Sequence, residues 1–376
     1  MNRTLFLIYI LFLSSITRLV EAQTISMLFA GDAMQHEAQL KDAINSNGSF
    51  FYDNNFELIK DEITSADIAV VNFETTLGSS PYKGYPAFSS PDEFAIALKR
   101  CGFDIFLTAN NHCLDKGSFG VFRTINILDS LNIKHLGTYK SEYERNTKYP
   151  MIIRKGDVKI GMLNYTYGTN GITAKQGAIV DYIDTTLIKR DIAFCNIKGA
   201  DIIIANVHWG DEYQLNQNIH QKRLAEWLHK KGVRIIIGSH PHVIQPIETV
   251  TDSCGNIEAL TVYSLGNFIS NMRTKMTKGA IIFRLNIVKE NDSIKIVNPR
   301  YAKIFTQRPD IVKNQPYKIL PCDSTYINSC VTIPKLKEEM MIFNKETDRV
   351  FKKHNKGEIN EYFFFKNALD SCINEK

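Results

Sequence analysis

Short runs of apolar residues recur along the chain, and five of them end abruptly in polar side chains. The runs lie at residues 25–30, 68–71, 104–108, 201–205 and 233–237. Continuous apolar runs of this length are typical of strands that are buried on both faces. Helical patterns separate them, at 91–100, 119–131 and 219–231. The alternation predicts an α/β fold with right-handed crossovers between strands.

Two other regions predict antiparallel hairpins. Residues 151–153 and 158–163 flank Lys155-Gly156-Asp157, and residues 247–251 and 258–263 flank a second polar turn. Such turn residues between alternating runs favour hairpins. With further strands at 280–288 and 293–297, we expect two packed mixed β-sheets flanked by helices.

The N-terminal residues 1–22 have the pattern of a secretory signal peptide. A basic start at Arg3 precedes an almost wholly apolar stretch, and small residues end at Ala22, the expected cleavage point. An uncleaved anchor is the alternative, although the stretch is short for a spanning helix. We therefore expect an exported protein, periplasmic or extracellular, with membrane association left open.

Composition indicates an ordinary globular chain of 376 residues, 44% of them hydrophobic. The net charge of +5 becomes +4 without residues 1–22, since Arg3, Arg18 and Glu21 are lost (5 − 2 + 1). This charge is too small to indicate a nucleic-acid partner and is compatible with an anionic substrate.

The pattern changes after about residue 310, where prolines cluster and the chain becomes rich in lysine and glutamate. Helical patterns near 335–353 and 358–373 follow. We interpret residues 23–310 as one domain and 311–376 as a mostly helical extension packed on it.

The polar residues at the strand ends are the main functional signal. Ligands of open α/β sheets bind beyond the carboxyl ends of the strands, so the clusters are expected to converge. Asp32 follows the first run and could be a metal ligand or a helix cap. Glu74 directly follows the second run, where a carboxylate is costly unless it is paired or metal-bound.

The third, fourth and fifth runs end in histidine. Asn111 and His112 follow the third, and Asp115 could orient an imidazole or cap the next helix. His208 ends the fourth, with Glu212 nearby, although a lone histidine there is more often structural.

His240-Pro241-His242 ends the fifth run and is the sharpest of these signals. In an extended chain, residues i and i+2 point the same way, so both imidazoles could face one cavity. Histidine, asparagine and carboxylate ligands suit zinc, manganese or iron better than calcium. His36 and the remaining histidines are interpreted as surface or packing residues.

Several common catalytic motifs are missing from the sequence. It contains no GxxxxGK[ST], no GxGxxG after a strand, no GxSxG and no HExxH. Kinase-type, dinucleotide-binding, serine-hydrolase and zincin interpretations therefore lose their usual support.

Six motifs follow one another between roughly residues 24 and 285. They are Gly31-Asp32-Ala33-Met34, Asn72-Phe73-Glu74, Ala109-Asn110-Asn111-His112 with Asp115 and Gly117, His208-Trp209-Gly210 with Glu212, Gly238-Ser239-His240-Pro241-His242-Val243 with Gln245, and Ser264-Leu265-Gly266-Asn267-Phe268. In this order they resemble the CapA family, named for poly-γ-glutamate capsule synthesis.

The resemblance implies a four-layer α/β/β/α sandwich similar to calcineurin-like metallophosphatases, with one or two divalent transition metals (Zn, Mn or Fe). By position, the implied metal ligands are Asp32, Glu74, Asn111, His208, His240 and His242. His112 is implied to protonate a leaving group, with Asp115 or Glu212 orienting the partners. Met34 stands where the metallophosphatase pattern has histidine, and Glu74 where it has a bridging aspartate, so one metal position is expected to be weak.

These expectations lead to a functional prediction with two alternatives. We expect an exported metal-dependent hydrolase or transferase acting on an amide-linked or anionic polymer or other cell-envelope substrate, alongside other capsule-synthesis proteins. A non-catalytic polymer-binding assembly or export factor is the first alternative. A metallophosphoesterase is the second, disfavoured by Met34.

Overall fold

A computed structural model describes residues 23–291 and 293–364. The predicted signal peptide at 1–22 lies outside these residues. The strands are β1 (Gln23–Ala33), β2 (Ile68–Phe73), β3 (Ile105–Leu107), β4 (Lys134–Leu136), β5 (Thr138–Tyr139), β6 (Met151–Lys155), β7 (Val158–Thr166), β8 (Ile179–Val180), β9 (Ile202–His208), β10 (Ile235–Ser239), β11 (Ile247–Thr251), β12 (Ile257–Val262), β13 (Gly279–Glu290), β14 (Ser293–Gln307), β15 (Lys318–Pro321) and β16 (Asn360–Glu361).

The helices account for most of the connections between these strands. They are α1 (Glu37–Ala43), α2 (Lys60–Thr64), α3 (Asp92–Cys101), α4 (Gly117–Ser130), α5 (Glu142–Lys148), α6 (Thr185–Ile197), α7 (Ile219–Lys230), α8 (Ser324–Cys330) and α9 (Pro334–His354). The helical patterns at 91–100, 119–131 and 219–231 correspond to α3, α4 and α7, which confirms those predictions. Within the described ranges, every helix is too short or too polar to cross a bilayer.

Fourteen of the strands form one long hydrogen-bonded path that contains two parallel halves, and β5 and β8 form a separate antiparallel pair. The order of the path is β4-β3-β2-β1-β13-β14-β12-β10-β9-β7-β6, with β11, β15 and β16 attached at its sides. The first half consists of the parallel strands β1 to β4. The second half contains four parallel strands, β7, β9, β10 and β12. The long antiparallel pair β13–β14 joins the halves. Both predicted hairpins are confirmed, as β6–β7 and β11–β12.

The two halves pack face to face, which follows from the alternation of side chains along β1. Met27 and Phe29 belong to the same core as Met162 and Ile204 of the second half. Their neighbour Leu28 points the other way, into a second core. Helix α3 packs in this second core, whereas α6 and α7 pack in the first core together with the second half of the sheet. The predicted α/β/β/α architecture is confirmed, and the apolar runs are continuous because both faces of each strand are buried.

The last 54 described residues combine helices with two sheet strands. The helix predicted near 335–353 is confirmed by α9. The helix predicted near 358–373 is wrong at its start, because Asn360–Glu361 pairs with β14 as β16. Glu361 Oε2 lies 3.0 Å from the buried Nζ of Lys303, a long-range contact that outweighs the local helical pattern. Residues 365–376 lie outside the described residues.

Candidate metal centre

The carboxyl ends of strands from both halves meet at one buried polar cluster. Asp32 lies at the end of β1 and Glu74 directly after β2. From the second half, His208 ends β9, and the His-Pro-His segment follows β10. The six predicted ligands are all buried: Asp32, Glu74, Asn111, His208, His240 and His242. The structure therefore brings the whole predicted set into one region.

Two overlapping groups of three residues have the geometry of metal positions. One consists of Glu74, His240 and His242, and the other of Asp32, Glu74 and His208. Within each group, one potential ligand atom from every residue lies within 4.8 Å of the others. Glu74 belongs to both groups, so one carboxylate is common to the two candidate positions.

Buried atoms without partners show that these residues fit a cation. Glu74 Oε1 accepts no hydrogen bond from the described residues, and it lies 3.7 Å from Nε2 of both His208 and His242. The buried Nδ1 of His240 likewise has no partner among the described residues. Leaving such groups unpaired is costly, and imidazole with carboxylate suits zinc, manganese or iron.

The protonation states of the cluster follow from burial and from neighbouring charges. Burial, with the nearby Asp32 carboxylate, raises the pKa of Glu74 well above its usual value. Burial and the adjacent imidazoles hold the pKa of His208 well below its usual range and lower that of His240 to about 3. These two imidazoles are therefore neutral at physiological pH, which is the form that binds metals.

His242 differs from the other two histidines because it contacts a carboxylate directly. Its Nδ1 lies 3.1 Å from Asp32 Oδ2 and 3.0 Å from Asn267 Oδ1. Burial alone would lower its pKa, but the contact with Asp32 outweighs burial and raises it. Since Nδ1 is occupied by these acceptors, Nε2 is the nitrogen available to a metal.

Asn72 and Asn267 orient the candidate ligands, and the sequence reasoning gave neither of them a role. Asn72 Nδ2 donates to Asp32 Oδ1 at 2.8 Å and to Glu74 Oε2 at 3.2 Å. Asn267 Nδ2 is itself held by the carbonyl of Thr277 at 2.9 Å. Both lie in motifs of the family resemblance, Asn-Phe-Glu and Ser-Leu-Gly-Asn-Phe, and this membership is the sequence signal that marks them.

Asn111 lies among the ligands and His112 lies beside them. The Oδ1 of Asn111 is 2.9 Å from His208 Nε2, the nitrogen that also faces Glu74. His112 Nδ1 contacts Asp115 Oδ2 at 2.7 Å, and both side chains are buried. The backbone N–H of Phe88 donates to the same oxygen of Asp115, and the Phe88 ring packs edge-on against His112. Asp115 is thus fixed as the partner of His112.

Glu212 lies at the exposed rim of the cluster. Its negative charge contributes to the raised pKa values of Glu74 and His242. His36, interpreted as a surface or packing residue, is partly buried next to the site. Its ring packs edge-on against Phe88, and burial lowers its pKa to about 4.

The His-Pro-His segment reaches the site through an unusual backbone. β10 ends at Ser239, and His240 and His242 both have positive φ values, 97° and 59°. The expectation of an extended segment is therefore wrong, although the conclusion that both imidazoles face one cluster holds. Non-glycine residues in this region of φ are strained, and such strain is concentrated at functional sites.

Sequence comparisons identify proteins similar to this chain. The sequence profile described as "Bacterial capsule synthesis protein PGA_cap" matches residues 26–272. The chain is 26% identical over 319 residues to "Capsule biosynthesis protein CapA" of Bacillus anthracis, covering 81% of this chain and 75% of that protein. It is 26% identical over 304 residues to "PGA biosynthesis protein CapA" of Bacillus subtilis (strain 168), covering 78% and 75%.

Structural comparisons find more distant similarities. The NAD nucleotidase NadN of Haemophilus influenzae aligns with a TM-score of 0.46 and 12% identity, over 94% of this chain and 60% of that one. A phosphatase of Mycoplasma pneumoniae aligns with a TM-score of 0.44 and 14% identity, over 78% and 97%. The present chain thus spans less than two thirds of the nucleotidase.

Proposed function

Because this chain belongs to the family of bacterial capsule synthesis proteins PGA_cap, we propose that it is an exported metal-dependent hydrolase or transferase acting on an amide-linked or anionic polymer of the cell envelope. One observation carries the catalytic part of this proposal. Two buried groups of metal ligands share Glu74, and a His112–Asp115 pair lies next to them. A site used only for binding would not need a paired histidine at the metal ligands.

The residues that would hold metal are the two groups sharing Glu74, with Asn111 as a further oxygen ligand. When bound, a divalent transition metal polarises a carbonyl or phosphoryl oxygen and lowers the pKa of water. Asn72 and Asn267 keep Asp32 and His242 in position for that role. We propose one or two ions per chain.

His112 is proposed to hold the proton that the leaving group takes. Its Nδ1–H donates to Asp115, so a second proton on Nε2 produces an imidazolium that the carboxylate stabilises. Asp115 remains in place because the Phe88 amide also donates to it, at 2.8 Å. Glu212, at the rim, would attract and orient a cationic or hydrogen-bond-donating part of the substrate.

The polymer is proposed from the family and the names of the relatives. Both curated relatives are named for capsule or PGA biosynthesis, and for poly-γ-glutamate the bond acted on would be an amide. Other capsule-synthesis proteins are the proposed partners, with no role for nucleic acid. Export is proposed from residues 1–22, and protein isolated from its native cells should then begin at Gln23.

A phosphoesterase is the second candidate, and one observation favours it. Although Met34 replaces a histidine, the described residues still form two groups of three potential ligands that share Glu74. Two adjacent ions sharing a carboxylate are the arrangement that phosphoester hydrolysis uses. Activity on simple phosphoesters exceeding that on polyglutamate would favour this candidate.

The decisive experiment is turnover by residues 23–376 loaded with manganese or zinc. With poly-γ-glutamate as substrate, the unmodified chain should release new amino termini, and His112→Asn should lower kcat by about 100-fold or more, since general acid catalysis is lost. His220→Asn, at an exposed histidine of α7, is the matched control and should leave kcat unchanged.

Metal content separates the possible outcomes of this experiment. Full metal occupancy in His112→Asn with lost turnover supports the catalytic role. Polymer binding without turnover in the unmodified, metal-loaded chain would instead support the non-catalytic assembly factor and contradict the proposal.

A further inference from the structure

We propose that Tyr85, Tyr167 and Tyr213 form a contact surface for an internal segment of an extended amide-linked chain, which makes binding depend on chain length. The inference rests on the proposed function and deepens it. It concerns how the substrate is held, since neither the metal ligands nor His112 distinguishes a long polymer from a fragment.

The three tyrosines surround the buried ligands, and each packs against an imidazole of the site. Tyr167 lies 4.5 Å, between ring centroids, from His240. Tyr213 and Tyr85 lie 6.4 Å from His242 and His112 respectively. Nevertheless a large part of each tyrosine remains exposed to solvent: 47% of Tyr167, 43% of Tyr213 and 70% of Tyr85. We call these three residues the tyrosine rim.

Two members of the tyrosine rim are held by the backbone of the metal-binding segments. The amide N–H of Tyr167 donates to the carbonyl of His208 at 3.0 Å. The amide N–H of Tyr213 donates to the carbonyl of Pro241, between His240 and His242, at 2.8 Å. Tyr213 also has a positive φ of 66°, a conformation that is costly without such support. The rings are therefore positioned together with the ligands and do not hang from free loops.

The arrangement favours an extended ligand because of where the exposed surface lies. Three loops, after β2, β7 and β9, contribute one ring each. A small ligand that only reached the metal would leave these rings in water. A ligand that covers them must extend beyond the metal centre in more than one direction. Rigid, partly exposed tyrosines are typical of contact surfaces, because they bury a large area at a small entropic cost.

The chemistry of the tyrosine rim suits an amide-linked chain. A tyrosine hydroxyl can both donate and accept a hydrogen bond, and all three rings are exposed enough to reach a ligand. An amide-linked polymer presents carbonyl oxygens at every repeat, and its methylene groups can pack on the ring faces. The rings thus provide both kinds of contact that such a backbone offers.

The test measures binding rather than turnover. Residues 23–376 carrying His112→Asn and loaded with manganese are titrated with long, fluorescently labelled poly-γ-glutamate and with the labelled γ-glutamyl dipeptide. We expect the chain to bind more tightly than the dipeptide. Tyr85→Ala and Tyr213→Ala should each raise the dissociation constant of the chain about tenfold, the usual effect of a well-packed aromatic contact. Tyr143→Ala, at a 79% exposed tyrosine of α5, should leave it unchanged.

The readouts separate this inference from the proposed function. Equal binding of dipeptide and chain, or equal chain binding by Tyr85→Ala and Tyr143→Ala, would overturn the inference even in an active enzyme. Length-dependent binding lost in the two rim variants supports it even if turnover is never found. Tyr213→Ala could lower the metal content, and its binding data would then not be used. In that case Tyr85→Ala decides the outcome by itself, because Tyr85 is the most exposed of the three residues.

Discussion

Glu74 is the residue on which both candidate metal positions depend. It is fully buried, close to the carboxylate of Asp32, and its pKa is raised by burial and by that neighbour. Without a cation, two adjacent carboxylates in a desolvated site repel each other. The site is therefore built at the expense of the stability of the metal-free protein.

Replacing Glu74 by glutamine should separate metal binding from stability. We expect Glu74→Gln to lose both ions, because each group of ligands loses its shared carboxylate. The metal-free variant should unfold at the same temperature as the metal-free parent or at a higher one, because a buried carboxylate beside Asp32 has been removed. Elemental analysis and calorimetry measure the two effects.

Glu212→Gln is the matched control, since this carboxylate is exposed at the rim. It should retain the metal content of the parent. Two ions retained in Glu74→Gln would contradict the assignment of a shared ligand.

At the scale of residues, the sequence pattern identified the candidate ligands and the His112–Asp115 pair, and it gave no role to Asn72, Asn267 or the tyrosine rim. Asp32, Glu74 and His208 could be identified because each is a titratable side chain just beyond the end of an apolar run. Asn72 also follows such a run, but a lone neutral amide does not indicate a metal site, and the residues of the tyrosine rim lie in loops. Their roles depend on contacts between loops distant in sequence, which no local pattern reveals.

At the scale of elements, the end of β1 is placed by a glycine that allows very close packing. A Cβ atom on Gly31 would lie 1.9 Å from the carbonyl oxygen of Gly266. The same oxygen accepts the amide N–H of Asp32 at 3.0 Å. The absence of a side chain at Gly31 therefore lets the backbone hold Asp32 in the metal site.

Gly31→Ala should damage both the fold and the site. The added methyl meets backbone rather than a flexible side chain, so we expect a loss of about 1–3 kcal/mol in the free energy of unfolding. Metal content should fall as well, because Asp32 moves with the strand end. Gly168→Ala is the control, since its Cβ would have no neighbour within 4 Å. Equal denaturation midpoints and metal contents for the two variants would refute this role of Gly31.

Element boundaries were predictable where the local pattern and the tertiary contacts agree. The strands that end at the site and helices α3, α4 and α7 belong to this class. The His-Pro-His segment does not, because its left-handed residues are fixed by the cluster that they enter. Nor does β16, whose pairing with β14 is set by contacts across the sheet.

At the scale of the whole molecule, a buried ionic network ties α5 to the second half of the sheet and to α6. The guanidinium of Arg145 contacts the carboxylates of Asp181 and Asp191. The hydroxyl of Tyr165 donates to Asp191 at 2.9 Å. Burial raises the pKa of Asp181 to about 7, even though Arg145 acts in the opposite direction.

Arg145→Gln should destabilise the fold in a pH-dependent way. Removing one member of a buried ionic network typically costs about 3–5 kcal/mol. Without the guanidinium, the pKa of Asp181 rises further, so the folded state keeps a proton that the unfolded state releases above about pH 4. Stability therefore falls as the pH rises, and the loss should be larger at about pH 8 than at about pH 5.

Chemical denaturation at the two pH values measures this difference. Arg100→Gln, which removes an exposed ion pair with Asp53, should cost less than about 1 kcal/mol at either pH. A loss in Arg145→Gln that is independent of pH would contradict the account of Asp181.

The contact between Asp32 and His242 joins residues 210 positions apart in the chain. The ion-binding cluster can form only after both halves of the sheet have been synthesised and packed together, since each half supplies part of it. Contacts between such distant segments form late in folding. Any ion that the cluster holds would therefore be acquired by a nearly finished protein and could not guide the early folding of the chain. If the chain is exported as proposed, the metal supply of the compartment in which folding is completed, more than that of the compartment of synthesis, would decide which ion it carries.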